Sequence, residues 1–158
     1  MQYDRQITIT TGTNRRATKW RPQTLKLSEL YARLSTPTRS VETIAEYLAM
    51  PKGKQDDLKD VGGFVGGSLR GERRKADAIT GRDIITLDLD AIPSGGAAAV
   101  SARVSALGCG YCIYSTRKHR PEAPRLRIIV PLDRTCSADE YEPCARRLAE
   151  WIGMDYTD

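Results

Sequence analysis

The stretch Ile84-Ile85-Thr86-Leu87-Asp88-Leu89-Asp90 decides how this chain is read. Its β-branched and apolar residues mark a strand. A period of two sets Ile85, Leu87 and Leu89 on one face and Thr86, Asp88 and Asp90 on the other. Two carboxylates two residues apart on one face point the same way, with about 6–7 Å between their β-carbons. Like charges this close repel unless a cation lies between them, and hard divalent ions such as Mg²⁺ or Mn²⁺ take oxygen ligands of this kind. Pro93-Ser94-Gly95-Gly96 follows as a turn, so the acids lie near the carboxyl end of the strand, where α/β sites tend to open. The plain alternative is a pair of acids facing water on the outside of a sheet; the apolar character of the rest of the strand argues against it.

Downstream the pattern stays regular. Residues 95–107 form an Ala/Val-rich helix stopped at Gly108. Residues 111–116 and 126–132 are a second and a third strand. Residues 137–152 are an amphipathic helix with Leu148 and Trp151 on its apolar side, closed by Gly153. The order is β-α-β-β-α. In the third strand Arg125, Arg127 and Ile129 alternate with Leu126, Ile128 and Val130. A hairpin beside the aspartate strand therefore carries cations on the surface that carries the acids. Ser115, Arg117, Lys118 and His119 stand where the second strand ends. Acids for a metal, cations for phosphate and a lone histidine make a polyphosphate site. The bland readings are an ordinary loop histidine and edge-strand cations that keep the sheet from aggregating.

Upstream, residues 6–10 alternate as a short strand and residues 12–16 are a basic turn. Residues 28–34 read as a helix capped by Ser28. A second helix begins near Ser40 and runs through Ile44, Tyr47 and Leu48 to Pro51. The charged residues 52–59 either prolong a helical segment or form a solvated loop. Residues 1–60 are thus expected to be a helical extension and residues 61–158 the core of a single domain, the size expected for 158 residues. Four glycines between Val61 and Gly67 suggest tight bends or a close backbone approach. They are no phosphate loop, because no Gly-Lys-Ser/Thr follows.

The chain carries a net charge of +5, and its cations cluster. Arg70, Arg73, Arg74 and Lys75 form one group, with nucleic acid as the expected partner. No apolar run suits a signal peptide or a membrane span, so a cytoplasmic protein with no membrane partner is expected. Cys109, Cys112, Cys136 and Cys144 would then stay reduced. Cys109 and Cys112 have CxxC spacing, but the other pair does not complete a zinc pattern, and small buried side chains are the favoured reading.

The segments 62–69, 71–75, 84–90, 114–132 and 141–158 together resemble the N-terminal region of phage and genomic-island replication proteins, the virulence-associated E family. The resemblance covers nearly the whole chain. It implies an α+β fold with an RRM-like core and a mixed or antiparallel sheet, similar to the primase–polymerase domain of the archaeo-eukaryotic primase superfamily. In that likeness Asp88 and Asp90 match the pair that holds Mg²⁺ or Mn²⁺, and Asp155 or Asp158 is the third acid. Ser115 matches the small residue of the second motif. Arg117 stands where the family has histidine, and His119 would substitute for it. Lys118, Arg125 and Arg127 would steady the triphosphate. The implied activity is two-metal nucleotidyl transfer on a DNA template, with nucleoside triphosphates as substrates and a helicase as a separate chain or further domain. Two departures stand out. Arg117 offers no titratable imidazole, and the chain stops where the family continues into another strand. A catalytically degenerate nucleic-acid-binding module and a mobile-element interaction or inhibitor protein are the alternatives.

Overall fold

The computed structural model describes residues 4–157. Its axis is the strand β5 (Ile79–Leu89), counting strands along the chain, and Ile84, Ile85 and Leu89 on it are buried. Strand β7 (Leu126–Cys136) lies antiparallel along β5, β6 (Cys112–Ser115) lies beyond β7, and the short β4 (Gly67–Leu69) flanks the other side of β5. Two helices cover one face of this four-stranded sheet: α4 (Ala97–Ser105) and α5 (Ala138–Ile152). Their residues Val100, Val104, Leu148 and Ile152 pack on Ile85, Leu89, Leu126, Ile128 and Val130. The order β5-α4-β6-β7-α5 is the one read from the sequence.

The N-terminal part departs from the expected helical extension. Helices α1 (Leu27–Leu34), α2 (Ile44–Ala49) and α3 (Lys52–Lys59) form, but so does a second antiparallel sheet. It is made of β1 (Gln6–Gly12), β2 (Arg21–Lys26) and β3 (Gly63–Val65), in the order β2-β1-β3. Strand β2 was hidden because it is an edge strand: Leu25 is its one buried residue, and Pro22 is tolerated where no second neighbour needs its missing N–H. This sheet and α1 pack Ile7, Ile9, Leu25, Leu27 and Leu30 onto Ile84 and Ile129, the face of the larger sheet opposite α4 and α5. The acidic face of β5 is therefore partly roofed.

One residue separates the two sheets along the chain. β3 pairs with β1 and β4 with β5, and Gly66 lies between them. A β-carbon on Gly66 would collide with the Ile84 side chain, and one on Gly67 would overlap the Gly81 carbonyl. The glycine doublet thus marks a close backbone approach. Asp83 ties the layers together. Its carboxylate is 4% exposed and accepts from the Thr8 N–H (2.5 Å), the Thr135 hydroxyl (2.5 Å) and Arg5 Nη2 (3.4 Å).

Smaller expectations also changed. Helix α1 starts at Leu27, where Glu29 reaches back to the Lys26 N–H; Ser28 instead binds the Asp4 carboxylate through its N–H and hydroxyl. Trp151 is 52% exposed, with its indole N–H on the Arg103 carbonyl, so the buried side of α5 is Leu148, Ala149 and Ile152. All four cysteines are free, but Cys136 alone is buried. Among the described residues no helix is long and apolar enough to cross a membrane.

Candidate functional site

Strand register assembles the site. Asp88 on β5 stands directly across from Arg127 on β7, and Arg127 directly across from Tyr114 on β6. Residues paired across strands share a face, so these three form one row on the face away from α4 and α5. Arg127 holds Asp88 with two parallel bonds, Nε to Oδ1 at 2.5 Å and Nη2 to Oδ2 at 2.9 Å. One step along, Arg125 Nη1 donates to Asp90 Oδ2 at 2.6 Å. The Asp88 and Arg127 side chains are 41% and 37% exposed, so the row is open to solvent. Burial pulls the Arg127 pKa down, but Asp88 and the Tyr114 hydroxyl more than offset it, and the guanidinium stays charged. Burial raises the Tyr114 pKa, and the Arg127 charge opposes it. The Arg127 guanidinium lies 6.0 Å from the Tyr114 ring centroid.

The remaining residues singled out in the sequence divide into those that join this face and those that do not. His119 sits beside Arg125: its Nδ1 lies 3.1 Å from the Arg125 backbone nitrogen and 3.2 Å from the Arg125 carbonyl oxygen. Lys118 is half-buried in the turn closed by the His119 N–H on the Thr116 carbonyl. Ser115 pairs with Leu126, which puts it in the row of the helix-packed face, opposite the aspartates. Arg117 turns away to the N-terminal part. It donates to Ser40 Oγ at 2.5 Å and to Glu42, and its guanidinium stacks 4.4 Å from the Tyr47 ring centroid. The Ser40 hydroxyl first, and Arg117 with it, hold the Glu42 pKa below its usual value. Asp155 lies in the turn after α5, close to the end of β5, where Leu89 bridges Thr157. Asp158 lies outside the described residues. Arg70, Arg73, Arg74 and Lys75 are exposed on a loop between β4 and β5.

The donor set is two carboxylates, and no group of three His, Cys, Asp or Glu residues suited to a metal occurs among the described residues. The two oxygens of Asp88 face Arg127, whereas Asp90 Oδ1 accepts no hydrogen bond among the described residues. Mg²⁺ is commonly held by one or two carboxylates together with substrate phosphates, and Asp90 Oδ1 is the oxygen of this pair that no described residue occupies.

A family model described as the VapE N-terminal domain matches residues 1–158. The chain belongs to that family. No curated protein and no solved structure matches it. Two features of this VapE N-terminal domain were missed in the sequence. Tyr114 was within reach, since counting alternate positions back from Thr116 puts it on the Arg127 side of the hairpin. The grip of Glu42 and Tyr47 on Arg117 had no local signal, because those residues are joined to Arg117 only by the fold.

Proposed function

We propose that the face bearing Asp88, Asp90, Arg125 and Arg127 binds a nucleoside triphosphate and transfers its nucleotidyl group to a nucleic-acid strand, as a primase–polymerase does. The observation that carries this reading is the row Asp88–Arg127–Tyr114 with Asp90–Arg125 beside it, half-open to solvent. Membership of the VapE N-terminal domain family supports it. So does the topology: the order β5-α4-β6-β7-α5 with β7 between β5 and β6 is compatible with an RRM-like sheet.

In this reading Asp88 and Asp90 hold Mg²⁺ or Mn²⁺. When bound, the ion neutralises triphosphate charge and lowers the pKa of an attacking 3′-hydroxyl. Arg125 and Arg127 share their guanidiniums between the carboxylates and the phosphate oxygens, which they match in bidentate fashion. His119 positions Arg125 through its backbone N–H. As the new phosphodiester forms and pyrophosphate leaves, the hydroxyl proton passes to water.

Incubation with labelled nucleotides, a primed template and Mn²⁺, beside an Asp88→Asn/Asp90→Asn variant, tests the assignment. Incorporation by the parent chain and none by the variant is expected; equal incorporation by both overturns it. A second reading, a nucleic-acid-binding module without chemistry, is favoured by one observation: both aspartates are ion-paired and Arg117 is held by Glu42 and Tyr47. It predicts no incorporation by either protein, with nucleic-acid binding that survives the double substitution.

A further inference from the structure

Away from the aspartate row, two loops distant in sequence meet on one tryptophan. Trp20 is 3% exposed. Its backbone N–H donates to the Glu72 carbonyl at 2.7 Å, its indole N–H to the Ala17 carbonyl at 3.0 Å, and the Arg74 guanidinium lies 5.4 Å from its ring centroid. Trp20 thus bolts the loop 70–75 to the loop that follows β1, which carries Arg16 and Lys19. All of these cations are exposed.

Among the described residues, unpaired cations such as Arg21, Arg39 and Lys54 also occur singly elsewhere, but this corner gathers four of them within six consecutive residues, 70–75. Arg15, Arg117, Arg125, Arg127, Arg134, Arg146 and Arg147 each have a carboxylate within reach. Among the described residues, Arg16, Lys19, Arg70, Arg73, Arg74 and Lys75 form no ion pair within 4.0 Å. Glu72 is the one acid between residues 70 and 75. Arg82, half-buried on β5 and stacked 4.7 Å over the Tyr141 ring, feels the same crowding: burial lowers its pKa and the Arg74 charge lowers it further. Asp57 and Asp60 line the same cavity as Arg16 and Lys19, but they face six exposed cations, and the surplus of positive charge favours an anion from outside.

We propose that this corner, where the loop bearing Arg16 and Lys19 is joined through Trp20 to the loop bearing Arg70, Arg73, Arg74 and Lys75, is a docking surface for the phosphate backbone of a nucleic-acid duplex. Six cations spread over two loops suit a line of phosphates better than one small anion. The aromatic ring at the centre is buried, so it offers no platform on which single-stranded bases would stack. Neither loop exposes a large apolar side chain, as insertion into a lipid surface requires. The surface does not depend on catalysis at Asp88 and Asp90, and the two assignments stand or fall separately.

Fluorescence anisotropy with a labelled duplex of arbitrary sequence tests it. If about four phosphates are contacted, affinity falls about 100-fold between 50 and 200 mM salt. A Lys19→Ala/Arg73→Ala/Lys75→Ala variant removes exposed side chains and is expected to fold as the parent does. Its plot of log affinity against log salt should be shallower by about 2.7 units, at about 0.9 per phosphate lost. A Lys54→Ala/Arg146→Ala/Arg147→Ala control removes the same charge elsewhere and should keep the parent slope. Asp88→Asn/Asp90→Asn should bind as the parent does, even if nucleotide incorporation is lost. Equal slopes for the two triple variants overturn the surface. So does binding to vesicles of anionic phospholipid with none to the duplex, or a clear preference for single strands that the Lys19/Arg73/Lys75 substitutions leave untouched.

Discussion

Asp83 and Asp88 lie on the same strand, yet the fold uses them in opposite ways. Asp83 is sealed between the two sheets, and each of its contacts is a donor from a different element: Thr8 on β1, Thr135 on β7, and Arg5. Asp88 is half-open and faces a single partner, Arg127. A buried carboxylate surrounded by donors ties layers together, because losing it leaves several polar groups unpaired. An open carboxylate with one guanidinium adds little to stability and stays available to a ligand. Position relative to the roofing sheet, rather than residue type, separates an acid that ties layers together from one left open to solvent.

The largest expected effect tests the first half of that contrast. Asp83→Ala should cost about 3 kcal/mol, because the Thr8 N–H, the Thr135 hydroxyl and Arg5 lose a shared, part-buried acceptor. For a chain of this size that lowers the melting temperature by about 10 °C. Denaturant titration reads the loss directly, and a change well below 1 kcal/mol would erase the distinction. Asp88→Asn should cost about 1 kcal/mol or less in the same titration, while abolishing nucleotide incorporation. Equal destabilisation by the two substitutions would make Asp88 architectural as well.

Acid sharpens the contrast through a third carboxylate. Arg134 and the Ser137 N–H hold the exposed Glu140 pKa down to about 2, from an ordinary value of 4.5. A depressed folded-state pKa means that the unfolded chain binds the proton first as pH falls. The contribution of Glu140 is therefore complete above pH 4.5 and is lost progressively as pH falls toward 2. Denaturant midpoints of the parent chain and of Glu140→Gln should converge across that window; midpoints that stay equally far apart at its two ends would contradict the depressed pKa. The smallest effect is expected at Tyr31, whose hydroxyl is buried without a partner among the described residues and whose pKa burial pushes up to about 12. Tyr31→Phe removes an unsatisfied group, and a gain of about 0.5 kcal/mol is expected in thermal denaturation. Destabilisation instead would reveal a partner for that hydroxyl.

The β-α-β-β-α core was legible because its signals are local. Alternation gave the faces of residues 84–90 and 126–132, and glycines closed the helices at Gly108 and Gly153. The placing of acids and guanidiniums on one face followed from the same counting. Three things were not legible, each for a physical reason. β2 has one buried side chain, so it carries no pattern. Arg117 is claimed by residues far away in the chain, which no spacing rule reaches. Ser115, paired with Leu126, lies on the helix-packed face, which strand register conveys and a short motif does not.

The passage of the chain through Gly66 has a mechanical consequence. With β3 committed to one sheet and β4 to the other, the two sheets are coupled by a link with no slack. Neither can peel from its partner without drawing the other along, so slow amide exchange in β1 and in β5 should report one shared opening event rather than two independent ones.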